Sequence, residues 1–171
     1  MMERKGVLIE VWPVVADAAG LWLASGHDAW RSGCLGPYAT VHDEVIALLP
    51  LAARAIDLVH STSWREDDGG NAVVLTYVVA LSPAFNAALE EWPEALPIGL
   101  KTAAAGGPPI LVGAAEQPQP RRLDVLWHAL RHLRFLLDTD AEARAALVMP
   151  WPAHLRHLDP VLSGLYDPAR R

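Results

Sequence analysis

The segment HSTSWR, residues 60 to 65, places six hydrogen-bonding or aromatic side chains in succession. In an extended strand, alternate side chains point to opposite faces of the sheet. One face is expected to carry His60, Thr62 and Trp64, and the other Ser61, Ser63 and Arg65. Hydroxyl groups beside a guanidinium suit an anionic ligand, because arginine binds carboxylate and phosphate groups through two parallel hydrogen bonds.

A second group of candidate ligand-binding residues lies in the glycine-rich loop from Ser25 to Tyr38, which contains Trp30 and Arg31. Arginine beside Trp and Tyr suits an anionic or planar ligand, through hydrogen bonding and stacking. The sequence therefore predicts a ligand site between this loop and the strand face of Ser61, Ser63 and Arg65. The alternative is that the aromatic residues only cover the sheet edge, since they bury large areas whatever their function.

Acid-base chemistry is a separate hypothesis. His42, Asp43 and Glu44 fall within one helical turn, so His42, or His60 from the strand, could act as a base with Glu44, with or without a metal ion. The alternative is that the acidic residues stabilise the start of the helix, where its dipole favours negative charge.

Two further histidines, His128 and His132, are spaced one helical turn apart, as metal ligands on a helix can be. His128 lacks the following glutamate of the zinc protease motif. Both histidines are also expected on a solvated face, away from the leucine stripe of their helix. We therefore predict no metal site, with these two residues as the candidates if one exists, and the sequence indicates no particular cofactor.

Strands are indicated by alternating β-branched residues. Val7 to Val15 and Leu21 to Ala24 are expected to form one hairpin, and Arg54 to Arg65 with Ala72 to Leu81 a second, joined through an Asp-Gly turn. A two-residue loop at that turn would place Trp64 opposite Val73 and His60 opposite Tyr77. Both faces of the later strand are apolar, so it should be central and covered on both sides.

Three helical segments complete the expected architecture. Thr40 can cap a short helix before Pro50, Ser82 can begin another that reaches Glu91, and Arg121 to Asp138 carries a leucine stripe. Shorter helical pieces are expected from Thr139 to Tyr166. The fold class is α+β, with a mixed or antiparallel sheet built from two hairpins. We expect a core at residues 1–95, a Gly/Ala/Pro-rich loop at 96–120 and a helical part at 121–171 packing on the core as one domain.

The bulk composition limits the partners. The 171 residues are 52% hydrophobic and carry a formal net charge of -6, so nucleic acid and anionic membranes are not expected to bind. No stretch approaches the roughly 20 apolar residues that a membrane span needs. The single cysteine, Cys34, precludes an intramolecular disulfide and suits the cytoplasm. The excess of Arg over Lys, with abundant Ala, Gly and Pro, is typical of high-GC bacteria.

The order of hairpin, Gly-rich loop, helix beginning His42-Asp43-Glu44-Val45 and second hairpin resembles the core of Nudix hydrolases over residues 6 to 90. That family carries G-x5-E-x7-R-E-U-x-E-E-x-G-U, whose glutamates hold the divalent metal for diphosphate cleavage. Glu44-Val45 overlays the E-U step, Asp43 stands where the arginine belongs, and Ala47 and Leu48 occupy the positions of the paired glutamates. The resemblance implies a Nudix-like pocket with a degenerate catalytic helix.

Three functions are consistent with these patterns. The first is binding of a small anionic or nucleotide-like molecule, or regulation through it. The second is an enzyme of unrecognised type, such as a hydrolase that uses histidine and glutamate. The third is a protein interaction module or homodimer, in which the Arg121 to Asp138 helix and Pro150-Trp151-Pro152 provide anchors, since Trp is favoured at interface centres.

Overall fold

The fold is described from a computed structural model, for residues 6–36, 39–49, 56–67, 69–82, 93–100, 110–113 and 120–165. Tyr38 and the helix expected from Ser82 to Glu91 lie outside these residues, apart from Ser82 itself. Within them, one mixed sheet carries helices on both faces, which confirms the predicted α+β class.

The strands are β1 (Gly6–Ala16), β2 (Leu21–Leu23), β3 (Trp30–Arg31), β4 (Ile56–Glu66), β5 (Ala72–Leu81), β6 (Leu96–Gly99), β7 (Ile110–Leu111) and β8 (Gly164–Leu165). The helices are α1 (Val41–Leu48), α2 (Pro120–Thr139), α3 (Ala141–Ala146) and α4 (Trp151–Leu155). The sheet order is β7-β6-β2-β1-β5-β4-β8, and β3 also pairs with β1.

Both expected hairpins form, and they are joined through the centre of the sheet. β1 pairs antiparallel with β2, and β4 pairs antiparallel with β5. The long central strands β1 and β5 run parallel, from Gly6 opposite Ala72 to Val15 opposite Leu81. β5 therefore lies between two neighbours, as its apolar faces predicted.

The sheet has two apolar faces, which we name for the helices that cover them. On the α1 face, Val45 and Leu49 pack with Ile9, Val11 and Val79. This helix begins as expected, since the Thr40 hydroxyl accepts a hydrogen bond from the backbone N–H of Asp43 at 3.2 Å. On the α2 face, the large core consists of Trp12, Val14, Val78 and Ala80 from the sheet with Leu126, Leu130 and Leu133 of α2, and Leu147, Trp151 and Leu155 beyond it.

The register expected for the β4–β5 hairpin is wrong in two places. The turn is longer than two residues. The Asp67 carbonyl accepts a hydrogen bond from the backbone N–H of Gly70, and the Asp67 carboxylate accepts one from the backbone N–H of Ala72. Glu66 consequently lies opposite Val73. A bulge between Ser61 and Ser63 then shifts the pairing again. His60 consequently lies opposite Val78, not Tyr77, and a bulge of this kind re-aims side chains.

The C-terminal half departs from the sequence expectation in three respects. The segment from Leu96 to Pro120, expected as a loop, contributes β6 and β7, because Leu96, Pro97 and Ile98 pair with β2, and Ile98 and Gly99 pair with β7 on the other side. The chain from Pro160 to Ser163 has no regular secondary structure instead of being helical, and Gly164–Leu165 form β8 beside β4.

The expected solvated face of α2 is also wrong, because α2 is covered by more than the sheet. His132 is 2% exposed and Asp124 is 7% exposed. The segment after α4 contacts α2, where Val161 N–H bonds to the Arg131 carbonyl. The polar side of the helix is therefore partly buried: Asp124 and His132 are enclosed, His128 and Arg131 are half-buried, and Asp138 remains exposed.

Candidate functional site

The α2 face contains a buried carboxylate. Glu10 lies in the middle of β1 with none of its surface exposed. Its neighbours across the sheet are Arg31 on β3 and Thr76 on β5, and Thr76 in turn lies opposite Ser63 on β4. Residues opposite one another on paired strands share a face. These four side chains form one line across four strands, which we call the polar row.

Two arginines converge on this carboxylate. Oε2 of Glu10 accepts hydrogen bonds from Nε of Arg31 at 2.9 Å, from Nη2 of the same arginine, and from Nη2 of Arg65 at 2.7 Å. Oε1 accepts from the indole N–H of Trp12 at 3.1 Å and from the Thr76 hydroxyl at 3.4 Å. Both carboxylate oxygens are thus satisfied inside the protein, as a buried charge requires.

Arg65 connects β4 to the same network. It reaches Glu10 from the next position along the α2 face, two residues beyond Ser63. Its other terminal nitrogen, Nη1, donates to the Thr76 hydroxyl at 2.9 Å, which orients that hydroxyl toward Glu10. Each guanidinium is therefore fixed by its partners before any ligand arrives.

The electrostatics keep the Glu10 carboxylate charged. Burial acts to raise its pKa, but the hydrogen bond and charge of Arg65, together with those of Arg31, hold the pKa below its usual range. A carboxylate with a lowered pKa and fully engaged oxygens is a poor proton acceptor near neutral pH. Glu10 consequently organises the arginines and is not suited to be a general base.

Among the described residues, the positive charges of this cluster outnumber the negative ones. One carboxylate opposes two guanidinium groups, which leaves one positive charge. The Arg31 side chain is 38% exposed and that of Arg65 is 19% exposed, whereas Glu10 is enclosed. In the same row, the Ser63 hydroxyl is buried and has no hydrogen-bond partner among the described residues. A buried polar atom left without a partner is uncommon and often marks a functional position.

The structure brings together three of the six residues predicted to bind a ligand. Arg31, Ser63 and Arg65 lie on the α2 face around Glu10. Ser61 lies opposite Tyr77 on the α1 face, and Trp30 packs into the core of that same face. Tyr38 lies outside the described residues. The bulge in β4 separates Ser61 from Ser63, so the expected face of Ser61, Ser63 and Arg65 does not form as one surface.

Histidines form a second polar group on the α2 face. The rings of His60 and His132 stack with centroids 5.1 Å apart, and His132 also stacks on Phe135 at 5.8 Å. Nδ1 of His132 donates to the Val161 carbonyl at 2.9 Å, and Nε2 of His128 donates to the Thr62 carbonyl at 3.3 Å. We refer to His60, His128 and His132 as the histidine cluster.

The histidine cluster favours uncharged rings. Burial lowers the pKa of all three histidines, and the neighbouring His132 lowers the pKa of His60 further. Hydrogen bonds to the Thr62 and Val161 carbonyls act to raise the pKa of His128 and His132, and the charge of Asp140 acts to raise that of His60, but burial has the larger effect. A charged ring in this cluster would be poorly solvated and close to a second imidazole.

The candidate catalytic residues do not assemble. His42 and Glu44 are on α1, whereas His60 faces α2 from the other side of the sheet. His42 is exposed and Glu44 is half-buried. His128 and His132 direct their bonded nitrogens at separate backbone carbonyls. Among the residues that the structure describes, no group of three or more His, Cys, Asp or Glu side chains is arranged to hold a metal ion.

The most informative residue of the site, Glu10, was not singled out by sequence reasoning. It stands as the one charged residue within Val7 to Val15, where all the other side chains are apolar. A carboxylate in the middle of a buried strand requires compensating partners. That requirement was the available signal for pairing it with the arginines of the neighbouring segments.

A search for membrane spans and three comparisons with known proteins bear on the function. No helix in the described part of the chain is long and apolar enough to cross a membrane. No protein-family model, curated protein or solved structure matches this sequence or its fold. Function therefore has to be inferred from the chemistry of the polar row and its arginines.

Proposed function

We propose that this protein binds a small anionic molecule at the exposed edges of Arg31 and Arg65. The observation that carries the proposal is the convergence of two guanidinium groups, from different strands, on one enclosed carboxylate. Guanidinium groups held in a fixed orientation bind phosphate and carboxylate groups through paired, charge-assisted hydrogen bonds. The ligand would accept hydrogen bonds from the outward-facing N–H groups of the two arginines, while Glu10 holds both guanidinium groups in position.

Ser63 and His60 supply further contacts for the same ligand. The Ser63 hydroxyl, which is buried and has no hydrogen-bond partner among the described residues, can donate to an anion in the polar row. The half-buried His60 ring follows Ser63 on the same face and stacks on His132, and a planar part of the ligand would stack beside this ring. A phosphate ester with a planar portion, as in a nucleotide, suits this combination.

A Nudix-like pocket would fit this proposal, but the metal-dependent diphosphate cleavage of Nudix hydrolases would not. At the positions of that family's paired glutamates, Ala47 is exposed and Leu48 packs toward the α1 core. Neither side chain can ligate a divalent ion. We therefore propose binding or regulation, and not metal-dependent cleavage, as the role of the anion site.

The test is a calorimetric titration at an ionic strength of about 0.1 M with pyrophosphate, AMP, ATP and citrate, comparing wild type with Arg31→Gln. Loss of a charge-assisted hydrogen bond is worth about 1.5–3 kcal/mol, so affinity for the tightest anion should fall by about ten- to a hundredfold. Arg65 still pairs with Glu10 in this variant, which preserves the fold.

The matched control is Arg156→Gln, which removes an exposed arginine at the end of α4. It changes the net charge by the same amount and should leave affinity within about twofold of wild type, since exposed charges are screened beyond about 10 Å. If none of the four anions binds, or if both variants weaken binding equally, the proposed function is wrong.

A further inference from the structure

A cavity of about 430 Å³ lies far from the polar row along the sheet. Its walls come from the β1–β2 turn, from β6 and from α4 with the residues that follow it. The lining includes Gly20, Leu21, Ile98, Leu100, Ala153 and Leu158. This volume is within the range of small-molecule sites, which are mainly apolar with a few polar groups.

The walls of this cavity are fixed by hydrogen bonds and strand pairing. The Asp17 carboxylate accepts from the backbone N–H groups of Ala19 and Gly20, at 2.8 and 2.9 Å, which locks the β1–β2 turn. Leu21 pairs with Ile98 between β2 and β6. The space is therefore preformed, and a ligand would not have to organise it.

His154 provides a directional polar group in the lining. Its Nε2 lies 2.6 Å from the Asp17 carbonyl oxygen, which can only accept, so Nε2 carries the proton. In the neutral ring, Nδ1 is then a hydrogen-bond acceptor. His157, also in the lining, already accepts at Nε2 from Nε of Arg156 at 2.8 Å. The described residues that line this cavity include no Asp, Glu, Lys or Arg, and the adjacent Asp17 and Arg156 are bonded to lining residues from outside it.

From these features we infer that the cavity is a second binding site, for an uncharged, mostly apolar molecule that carries one hydroxyl group. The phenol and aryl-alcohol class meets these requirements. The apolar body contacts Leu21, Ile98 and Leu158, and the hydroxyl donates to Nδ1 of His154. The site does not depend on the anion site, because it uses none of the same residues.

The test titrates the protein with 2-naphthol and, separately, with naphthalene, and follows backbone amide resonances by NMR. Both probes should shift Gly20, Leu21, Ile98 and Ala153 in a saturable manner. 2-Naphthol should bind about fivefold more tightly, the contribution of one neutral hydrogen bond. Equal affinities would overturn the hydroxyl assignment, and shifts confined to other residues, or none, would overturn the site.

A cavity-filling variant makes the test specific. A Cβ atom added at Gly20 would meet nothing within 4 Å, so Gly20→Leu can place its side chain in the empty space. It should weaken both probes at least tenfold. Gly33→Leu is the matched control, because its Cβ also meets nothing within 4 Å but it is outside the cavity. Unchanged binding in Gly20→Leu, or equal weakening in both variants, would contradict the inference.

The polar contact has its own variant. His154→Phe keeps a ring in the wall but removes the acceptor, so it should abolish the preference for 2-naphthol while naphthalene still binds. A preference that survives this change would overturn the role of His154. Pyrophosphate should leave the resonances of the cavity residues unmoved, which separates this inference from the proposed anion site.

Discussion

At the scale of single residues, Glu10 links the fold to the proposed function. Its carboxylate joins Arg31 of β3 and Arg65 of β4, which are not neighbours in the sheet. The same contacts that neutralise the buried charge also hold two guanidinium groups side by side. Stability and anion binding are therefore coupled at this residue, and substitutions here should affect both.

Glu10→Gln should strongly destabilise the protein. The amide retains the shape of the side chain but leaves two partly buried guanidinium groups without a counter-charge, and breaking a buried ion pair costs about 3–5 kcal/mol. Urea unfolding at pH 7 measures the loss. Glu142→Gln, at an exposed position of α3, is the control and should cost less than about 1 kcal/mol.

The difference in unfolding free energy between wild type and Glu10→Gln should depend on pH. The folded-state pKa of Glu10 is lowered, so its contribution is present above the ordinary value of 4.5 and is lost as the pH falls through the folded-state pKa. Wild type and Glu10→Gln should therefore converge in stability below that range. A difference that stays constant into strong acid, or a loss at pH 7 no larger than that of Glu142→Gln, would contradict the role of the Glu10 charge.

Ser63→Ala should separate stability from binding. Removing a buried hydroxyl that lacks a partner should leave the unfolding free energy unchanged or raise it by about 1 kcal/mol. Anion affinity should nevertheless fall at least threefold, measured by calorimetry. Ser25→Ala is the matched control, because its hydroxyl is also buried without a partner but lies just after β2. If Ser63→Ala does not reduce affinity more than Ser25→Ala does, Ser63 is not a ligand contact.

At the scale of elements, the irregularity in β4 decides which side chains meet. Hydrophobic alternation predicted both hairpins and the central position of β5, since burial on both faces leaves a clear pattern. It did not predict the bulge between Ser61 and Ser63, because an extra residue leaves the composition of a strand unchanged. The residue types of Arg31, Ser63 and Arg65 make them candidate ligand-binding residues from the sequence. Their position around Glu10 could not be predicted, because it depends on pairing between strands that are distant in the sequence.

The packing of α2 against β4 should be sensitive to acid. Burial lowers the pKa of His60, His128 and His132 below the ordinary value of 6.5. As the pH falls through about 6.5, the unfolded chain takes up protons that the folded histidine cluster resists, so stability is lost. We expect the unfolding free energy to decrease between pH 8 and pH 5.

The variant His132→Gln tests how much the histidine cluster contributes to the decrease in unfolding free energy between pH 8 and pH 5. The amide can still donate to the Val161 carbonyl but does not titrate, so the loss of stability from pH 8 to pH 5 should become smaller. His42→Gln, at an exposed position of α1, is the control and should retain the wild-type dependence. Equal pH dependence in all three proteins would show that His132 does not contribute.

At the scale of the whole molecule, the C-terminal helices and the sheet share one core. Side chains of β1, β2, β5 and β6 pack with α2, α3 and α4 in a single cluster. Trp151, expected as an exposed anchor for a partner, is completely buried in that core. The leucine stripe predicted this packing for α2, but no local pattern indicated that Asp124 and His132 on its polar side would be buried.

The shared core should make unfolding a single transition. Leu130 is completely buried between α2 and the sheet, and Leu130→Ala should cost about 2–5 kcal/mol. Circular dichroism and tryptophan fluorescence should report the same midpoint before and after the substitution. Separate transitions by the two probes would instead show that the helical part unfolds independently of the sheet.

The most direct test of the anion site is an NMR titration that observes the arginine side-chain Nε–H resonances. With pyrophosphate at low salt, the resonances of Arg31 and Arg65 should shift together and saturate with one affinity, while that of Arg156 stays in place. Arg31 and Arg65 resonances that do not respond, or an equal response of every arginine without saturation, would contradict the proposed anion site.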